Sequence, residues 1–463
     1  MKRDFWTILW LGAGLLMTGC QDFLTVEQKG KTTIPVFLSY PAGLEAGLVG
    51  AYNKMYAYVG NEMTKYGDVA GNMLTLRYTG STTDMVSQYN YVSSAEEETG
   101  AVGYIWRRAY EALADANNVI EYQPAVLANY PQDATELQQI LGQALALRAL
   151  CTFDLCRTYG QAYCYTADAS HLGVPVLLRA AGPDDNPSRN TVAQCYRQVE
   201  SDLQEAYRLL DSYTLGGGKC DIYHVSQEAV AALLARVYLY EQQWSEALTW
   251  AQRVADQREL SHGSEYLNMF HTFTTPGEAL WRLSGQEQSG KLKPFYDQVA
   301  LPADTLLGLF APEDLRRELL YSNGQKYCNK YLVSNATDTK RDDPMVVRAS
   351  EMYLTVAEAA CELKRYDVAR QYLEPLLARA VDDSYAMMVL DETADAQLLQ
   401  LVLRERVKEL CFEGHCLFDL TRRGQGLVRE AATNAAIKRV DWPDDRFVLP
   451  IPQTEVNANE NIK

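Results

Sequence analysis

Apolar positions along this chain recur at spacings of three and four over long stretches, which predicts helices. Leu44, Leu48, Tyr52 and Met55 mark a first helix over Pro41–Tyr58. Trp106, Tyr110, Leu113, Ala114 and Asn117 share one face of a second over 102–120, which Pro124 is expected to help end. Asp133, with Glu136 three residues on, reads as the capping box of a third. Its stripe runs from Leu137 through Phe153 and Cys156 to a stop at Gly160. A fourth amphipathic helix covers 192–210, and a last strong one covers 398–419. Residues 441–463 read as coil carrying Pro443, Pro450 and Pro452.

One pattern occurs twice. Ala229, Leu233, Ala235, Val237 and Tyr240 precede a short polar turn, and Trp244, Ala247, Leu248, Ala251 and Val254 follow it. The second copy has Ala357 for Ala235, Tyr366 for Trp244 and Ala369 for Ala247. Small residues at these positions let two helices approach closely, so the pairs read as degenerate repeats of tetratricopeptide type. The other reading is two unrelated hairpins of similar composition.

Periodicity fails in two places. Residues 60–100 are rich in Gly, Ser, Thr, Asn and Tyr, and residues 260–348 mix aromatics with Gly and Pro. The first reads as mostly loop, and a loop this long in a domain is usually functional. The second reads as loops, short helices and a small hairpin inserted between the two helical pairs, with a short strand over 278–283. The expected fold class is therefore all-α. Helical pairs near 102–160, 192–255 and 350–424 carry a large, irregular, loop-rich insertion. Gly216, Gly217 and Gly218 form a turn; no Gly-Lys-Ser/Thr ending makes them a phosphate loop.

The start of the chain adds an address. Lys2 and Arg3 precede an apolar run from Phe5 to Met17 that closes on Thr18, Gly19 and Cys20. The run is shorter than the roughly 20 residues that span a bilayer, so 1–19 read as a signal peptide. Residues 20–40 then read as a tether, and 41–463 as one unit. A small pair before cysteine resembles the lipobox of bacterial lipoproteins, which makes Cys20 the expected lipidation site and the lipid the membrane contact.

Composition removes several functions. A formal charge of -17 repels phosphate backbones, so nucleic acid is not an expected partner. Without Cys20, nine of the ten cysteines remain, mostly in apolar helical contexts and without a CxxC pair. They read as free buried thiols, with one disulfide in the 156–164 region as the alternative, and no metal or other cofactor is expected. His415 beside Glu413 and Gly414 is not an HExxH motif, and no recognised catalytic motif accompanies any acid, so the chain is not expected to be an enzyme.

Residues 404–424 read RERVKELCFEGHCLFDLTRRG. Here Arg406, Glu409, Leu410, Glu413, Gly414, Phe418, Asp419, Leu420, Arg422 and Gly424 resemble the signature of the SusD/RagB family, with Cys416 where arginine is usual. Asp22-Phe23-Leu24, the Trp106 to Asn117 segment, Arg148-Ala149-Leu150, Val174-Pro175 and Leu449-Pro450-Ile451-Pro452 extend the resemblance along the chain. Read as residues alone, Arg406, Glu409, Glu413, Asp419 and Arg422 form a structural ion network, with oppositely charged partners a helical turn or two apart.

The resemblance implies a non-catalytic surface lipoprotein of the outer membrane, facing the exterior. It would capture a glycan or peptide and pass it to a SusC-like TonB-dependent transporter. The family usually builds its site from the two irregular regions, on aromatic faces and amide or charged side chains. On this chain the candidates are Tyr66, Asn72, Arg77, Tyr78, Tyr89 and Tyr91 from the first, with Tyr296, Tyr327 and Tyr331 from the second. Trp106, Trp244 and Trp250 lie at core spacing, so a starch-like site built on exposed tryptophans is less supported. The alternative function is a helical-repeat scaffold with protein partners only.

Overall fold

The computed structural model describes residues 33–77, 84–182, 184–217, 220–271, 277–286, 288, 290–331 and 341–462. The signal segment, Cys20 and Tyr78 lie outside the described residues. The principal helices are α1 (Pro41–Tyr58), α2 (Thr64–Val69), α3 (Ala101–Asn129), α4 (Ala134–Tyr159), α5 (Val192–Leu209) and α6 (Gln227–Tyr240). They continue with α7 (Trp244–Ala255), α8 (Ala349–Glu362), α9 (Tyr366–Ala380), α10 (Asp383–Glu392), α11 (Asp395–Leu410) and α12 (Cys416–Thr421).

Each long helix covers the apolar stripe of the next. Helix α1 packs on α3, α3 on α4, α4 on α5, α5 on α6 and α6 on α7. Helix α7 then packs directly on α8, and α8 on α9, although residues 256–348 intervene. The stack of helical pairs is thus continuous, and the irregular region is an insertion hung from it. Alanines at the α6–α7–α8 contacts, among them Ala235, Ala247 and Ala357, are fully buried and permit the close approach. This is the all-α, paired-helix architecture with a loop-rich insertion that the periodicity predicts.

Short antiparallel strands close the insertion. They are β1 (Leu74–Leu76), β2 (Ala279–Arg282), β3 (Ala300–Pro302), β4 (Tyr321–Ser322), β5 (Gln325–Lys326) and β6 (Met345–Arg348). Strand β2 pairs with β6, Ala279 opposite Arg348, which returns the chain to α8. Strand β1 pairs with β3, with Leu74 opposite Pro302 and Leu76 opposite Ala300. The two irregular regions are therefore joined to each other.

Several expectations are corrected. Residues 60–100 are not mostly loop at their start: the chain passes from α1 through a π-helical turn, Val59–Met63, straight into α2. Met63, Tyr66, Val69 and Ala70 keep a helical stripe there, and all are buried. Helix α3 runs through Pro124 to Asn129, because buried Val126 and a hydrogen bond from Gln123 Nε2 to the Leu137 carbonyl (3.1 Å) hold its last turns on α4. Asp133 makes no side-chain cap; the reciprocal capping box belongs to α5, between Thr191 and Gln194. The 398–419 helix breaks in two, since Phe412 (φ 63°) and Gly414 (φ 80°) turn the chain between α11 and α12. Gly67 explains the tightness there, because a Cβ on it would lie 2.1 Å from the Gly414 carbonyl oxygen. Cys156 and Cys164 are both free thiols.

The ion network is built across the chain more than along it. Glu409 accepts from Arg348 (2.7 Å) and pairs with Arg379 (2.6 Å) and Arg316 (3.3 Å). Glu413 pairs with Lys330 (2.7 Å) and Arg348 (2.9 Å), and Glu278 pairs with Arg348 (3.3 Å) and Arg379. Asp314 and Glu405 complete the cluster with Arg316 and Lys408. Five carboxylates thus face five cations, nine of the ten residues buried and the Glu413 side chain 6% exposed, and the partners come from the insertion, α9 and α11. Beside it Asp419 takes Arg406 and Arg422 (2.9 and 2.8 Å), while Arg422 forks onto Glu358. Among these pairs only Glu405–Lys408 and Asp419–Arg422 are neighbours on one helix turn. Burial alone would raise Glu413, but Arg348 and Lys330 outweigh it and bring it down to about 2.

Candidate functional site

Helix α2 organises the candidate site because its two flanks face different things. Tyr66 and, just past its end, Ala70 line a half-open crevice of about 450 Å³. Lys65 and Asp68 face the insertion instead. The Asp68 carboxylate accepts from the Tyr296 hydroxyl (2.6 Å) and from the Gly414 amide (3.1 Å), and burial still pushes it up to about 7. Lys65 Nζ lies 5.0 Å from the Phe295 ring centre and donates to Asn61 (2.6 Å) and Asp84 (2.9 Å).

The crevice wall opposite α2 is the segment Val448–Ile451, which carries Leu449, Pro450 and Ile451 past the end of α4. The Leu449 amide donates to the Thr158 carbonyl (2.8 Å) and the Gln453 amide to Ala95 (2.8 Å), so this C-terminal coil is pinned at both ends. Tyr91, in the left-handed region at φ 56°, meets Phe447 edge-to-face at 5.9 Å. Polar side chains reach the crevice from Gln88, Ser93, Gln161, Arg189, Asp445 and Arg446. Gln161 donates to the Asp444 carbonyl (3.2 Å), and its buried Oε1 accepts nothing among the described residues. Arg189 donates to the carbonyls of Gly173 (2.7 Å) and Leu172 (3.1 Å) and makes no ion pair among the described residues. Burial lowers its pKa, as a cation without a carboxylate should show. An unused amide oxygen and an unpaired guanidinium on an apolar, aromatic wall suit a ligand with hydroxyls or amides.

The comparisons with known proteins agree with this architecture. The model of the SusD family matches residues 304–463, and a second, described as starch-binding associating with outer membrane, matches residues 22–239. The chain belongs to the SusD/RagB family. A SusD superfamily protein from Bacteroides thetaiotaomicron is 26% identical, with a TM-score of 0.82 over 92% of this chain and 99% of that one. A SusD-like carbohydrate binding protein from Bacteroides vulgatus shares the fold at 22% identity and TM-score 0.77, over 91% and 97% of the two chains. A SusD-like protein of Formosa agariphila is 20% identical across 95% of this chain and 94% of its own length. The SusD/RagB family is a non-catalytic, nutrient-binding family of the outer membrane.

Within this SusD-family fold the residues singled out from sequence separate into groups. Tyr66 and Tyr91 reach the crevice, although each is mostly buried and its hydroxyl donates to a carbonyl, of Phe447 (3.2 Å) and Ala70 respectively. Tyr89, Tyr296 and Tyr331 are interior, which corrects the expectation that they present a face to ligand. Tyr89 reaches Thr433 and Asn434, Tyr296 binds Asp68, and Tyr331 stacks on Tyr296 at 5.3 Å and donates to the Phe412 carbonyl. Tyr327 is half-buried beside the β4–β5 hairpin and donates to Glu318. Asn72 donates to the Val428 carbonyl (3.0 Å). Arg77 is exposed at the end of β1, where its amide donates to Val299 (2.7 Å). His415 is buried; burial, with Arg236 and Arg406 nearby, brings it down to about 4 and keeps it neutral.

Sequence reasoning missed Arg189 and Gln161, and it read Leu449-Pro450-Ile451 only as part of the family pattern. Arg189 sits just before the Thr191 cap in a loop without periodicity. No local signal marks it, since Asp184 and Asp185 lie five and four residues before it and Asp185 pairs with Arg179 instead.

Proposed function

We propose that the chain captures an oligosaccharide or peptide nutrient at the cell surface and delivers it to a SusC-like TonB-dependent transporter. Cys20, lipidated, would hold it at the outer membrane, facing the exterior. The carrying observation is the crevice between α2 and the Leu449–Ile451 wall. It has a volume within the few-hundred-Å³ range of small-ligand sites, its Gln161 Oε1 accepts nothing among the described residues, and its Arg189 is bonded to carbonyls with no carboxylate partner among them. Membership of a nutrient-binding family and the fold shared with a SusD-like carbohydrate binding protein support the same reading.

The test is a binding screen of the soluble chain from Gln21 onward against neutral and acidic oligosaccharides and short peptides. At least one ligand should bind without being cleaved. Binding of nothing, together with co-purification of a protein that is not a transporter, would favour the scaffold instead. The anchor has its own readout: Cys20→Ala should move the protein from the membrane fraction to the soluble fraction, and unchanged membrane retention would remove the lipid from the account.

A further inference from the structure

A second concavity lies away from the crevice and away from both irregular regions. It is a groove of about 500 Å³ between α1 and the beginning of α4, closed at one end by Tyr213 and His224. Its walls follow from helix spacing. Glu45, Leu48, Val49 and Tyr52 form one stripe of α1, and Glu136, Gln139, Ile140 and Gln143 form the facing stripe of α4. A stripe that merely joined two helices would be apolar along its length. Here α4 places two glutamines in the facing stripe, and both are more than nine-tenths buried: Gln139 is 8% exposed and Gln143 4%.

The two glutamines differ in what they do. The Gln143 amide oxygen accepts from the Tyr52 hydroxyl (2.8 Å), whose oxygen in turn accepts from the Val225 amide (2.9 Å). That chain fixes Tyr52 and Gln143 as the floor. The Gln139 side-chain amide makes no hydrogen bond among the described residues, and Gln139 lines the groove. The residue as a whole is buried while its amide opens onto the groove, so its donor and acceptor are available to a molecule bound there. His224 donates or accepts toward Asp221 through Nδ1 (2.7 Å), its ring edge-to-face with Tyr52 at 5.9 Å. Its other ring nitrogen makes no hydrogen bond among the described residues.

We infer that this groove is a second binding site, for one or two units of a neutral saccharide. A primary amide offers a donor and an acceptor side by side, which matches neighbouring hydroxyls on a sugar ring. Tyr52, Tyr213, Leu48 and Ile140 supply the apolar and aromatic surface for its C–H face. Charge decides against acidic sugars and phosphates: Glu45, Asp133 and Glu136 line the groove, and no Lys or Arg does. The carboxylates stand at the partly or fully exposed rim, where water screens them, while the groups at depth are uncharged. Small basic peptides are the competing occupant that the acidic rim would attract, and they form an outcome of the test.

The test titrates the soluble chain with neutral di- and trisaccharides of glucose, galactose, mannose and xylose. A trigalacturonide and a trilysine peptide serve as controls, with calorimetry and ligand-observed NMR as readouts. Two variants report on the groove. Gln139→Leu removes the amide at nearly constant volume, and Val49→Arg blocks the rim from a position that is 56% exposed and outside the core. At least one neutral saccharide should bind wild type and bind each groove variant at least tenfold more weakly. Arg189→Ala should leave that loss unchanged, which separates this site from the crevice. Equal binding by wild type and both groove variants would overturn the inference, as would binding by no neutral saccharide or by trilysine alone. Saccharide binding lost only in Arg189→Ala would keep the crevice and remove the groove.

Discussion

Replacing Glu409 by alanine should cost the protein about 3–5 kcal/mol, the range for removing one partner of a buried ion pair. The reason is geometric. Glu409 is fully buried and faces three guanidiniums, of Arg348, Arg379 and Arg316, and it also accepts from the Tyr266 hydroxyl (3.2 Å). Truncation leaves those cations together without their central anion. Against a typical total stability of roughly 5–15 kcal/mol, that is a large share. The insertion should loosen first, because Arg316, Arg348 and Tyr266 belong to it whereas Glu409 belongs to α11. Chemical denaturation followed by circular dichroism checks the magnitude, and a loss below about 1 kcal/mol would refute it. Asp441→Ala is the control: it removes the exposed Arg439–Asp441 pair (2.7 Å) and should leave the melting temperature unchanged.

Acid should act on Glu413 of this cluster, and on Glu351 paired with Arg236 outside it, with a defined sign. At Glu351, burial is outweighed by Arg236, and at Glu413 by Arg348 and Lys330; both carboxyls fall to about 2 from the ordinary 4.5. A group whose pKa is lower in the folded state stabilises above its unfolded value and loses that contribution as pH falls through the folded one. Each is worth on the order of 3 kcal/mol at neutral pH, lost between about pH 4.5 and 2. Glu62 and Asp68 oppose this, since burial raises both to about 7. They bind protons more readily folded than unfolded, so they weaken the protein as pH rises from about 4 to 7. The melting temperature should therefore rise from pH 7 to about 4.5, as Glu62 and Asp68 take up protons, and fall steeply below. A flat profile between pH 4.5 and 2 would contradict the assignment.

The helical stack was legible because its signals are local. Ala235, Ala247 and Ala357 stand at helix-pair spacing, and the residues around Trp281 read as a strand and form β2. What escaped has physical causes. Helix α2 hides behind Gly60, Asn61 and Gly67, residues of poor helix propensity that close packing against Gly414 requires or tolerates. The break at Phe412 is invisible because apolar spacing continues from Leu401 through Leu410 to Phe418 across it. The network residues of 404–424 could be named, but their partners Arg316, Arg348 and Arg379 lie far off in sequence, and no local rule selects them.

The tyrosines show a different limit. A loop-like composition does not say which way a ring points, so Tyr89, Tyr296 and Tyr331 looked available and are core. Their hydrogen bonds to Thr433, Asp68 and Phe412 tie the irregular regions to α2 and to the chain beyond α11. The site is then carried by residues of no periodic signal, Arg189 and Gln161, and by a C-terminal coil held at Thr158 and Ala95. A half-buried arginine bonded only to carbonyls is affordable in a binding protein whose ligand completes its contacts.

The central claim is that the crevice receives the nutrient, and titration of Arg189→Ala and Gln161→Ala with the ligand found in the screen tests it most directly. The account predicts at least tenfold weaker binding in each variant, about 1.4 kcal/mol, with melting temperatures close to wild type. Wild-type affinity in both variants, for a ligand the unmodified chain binds well, would contradict it.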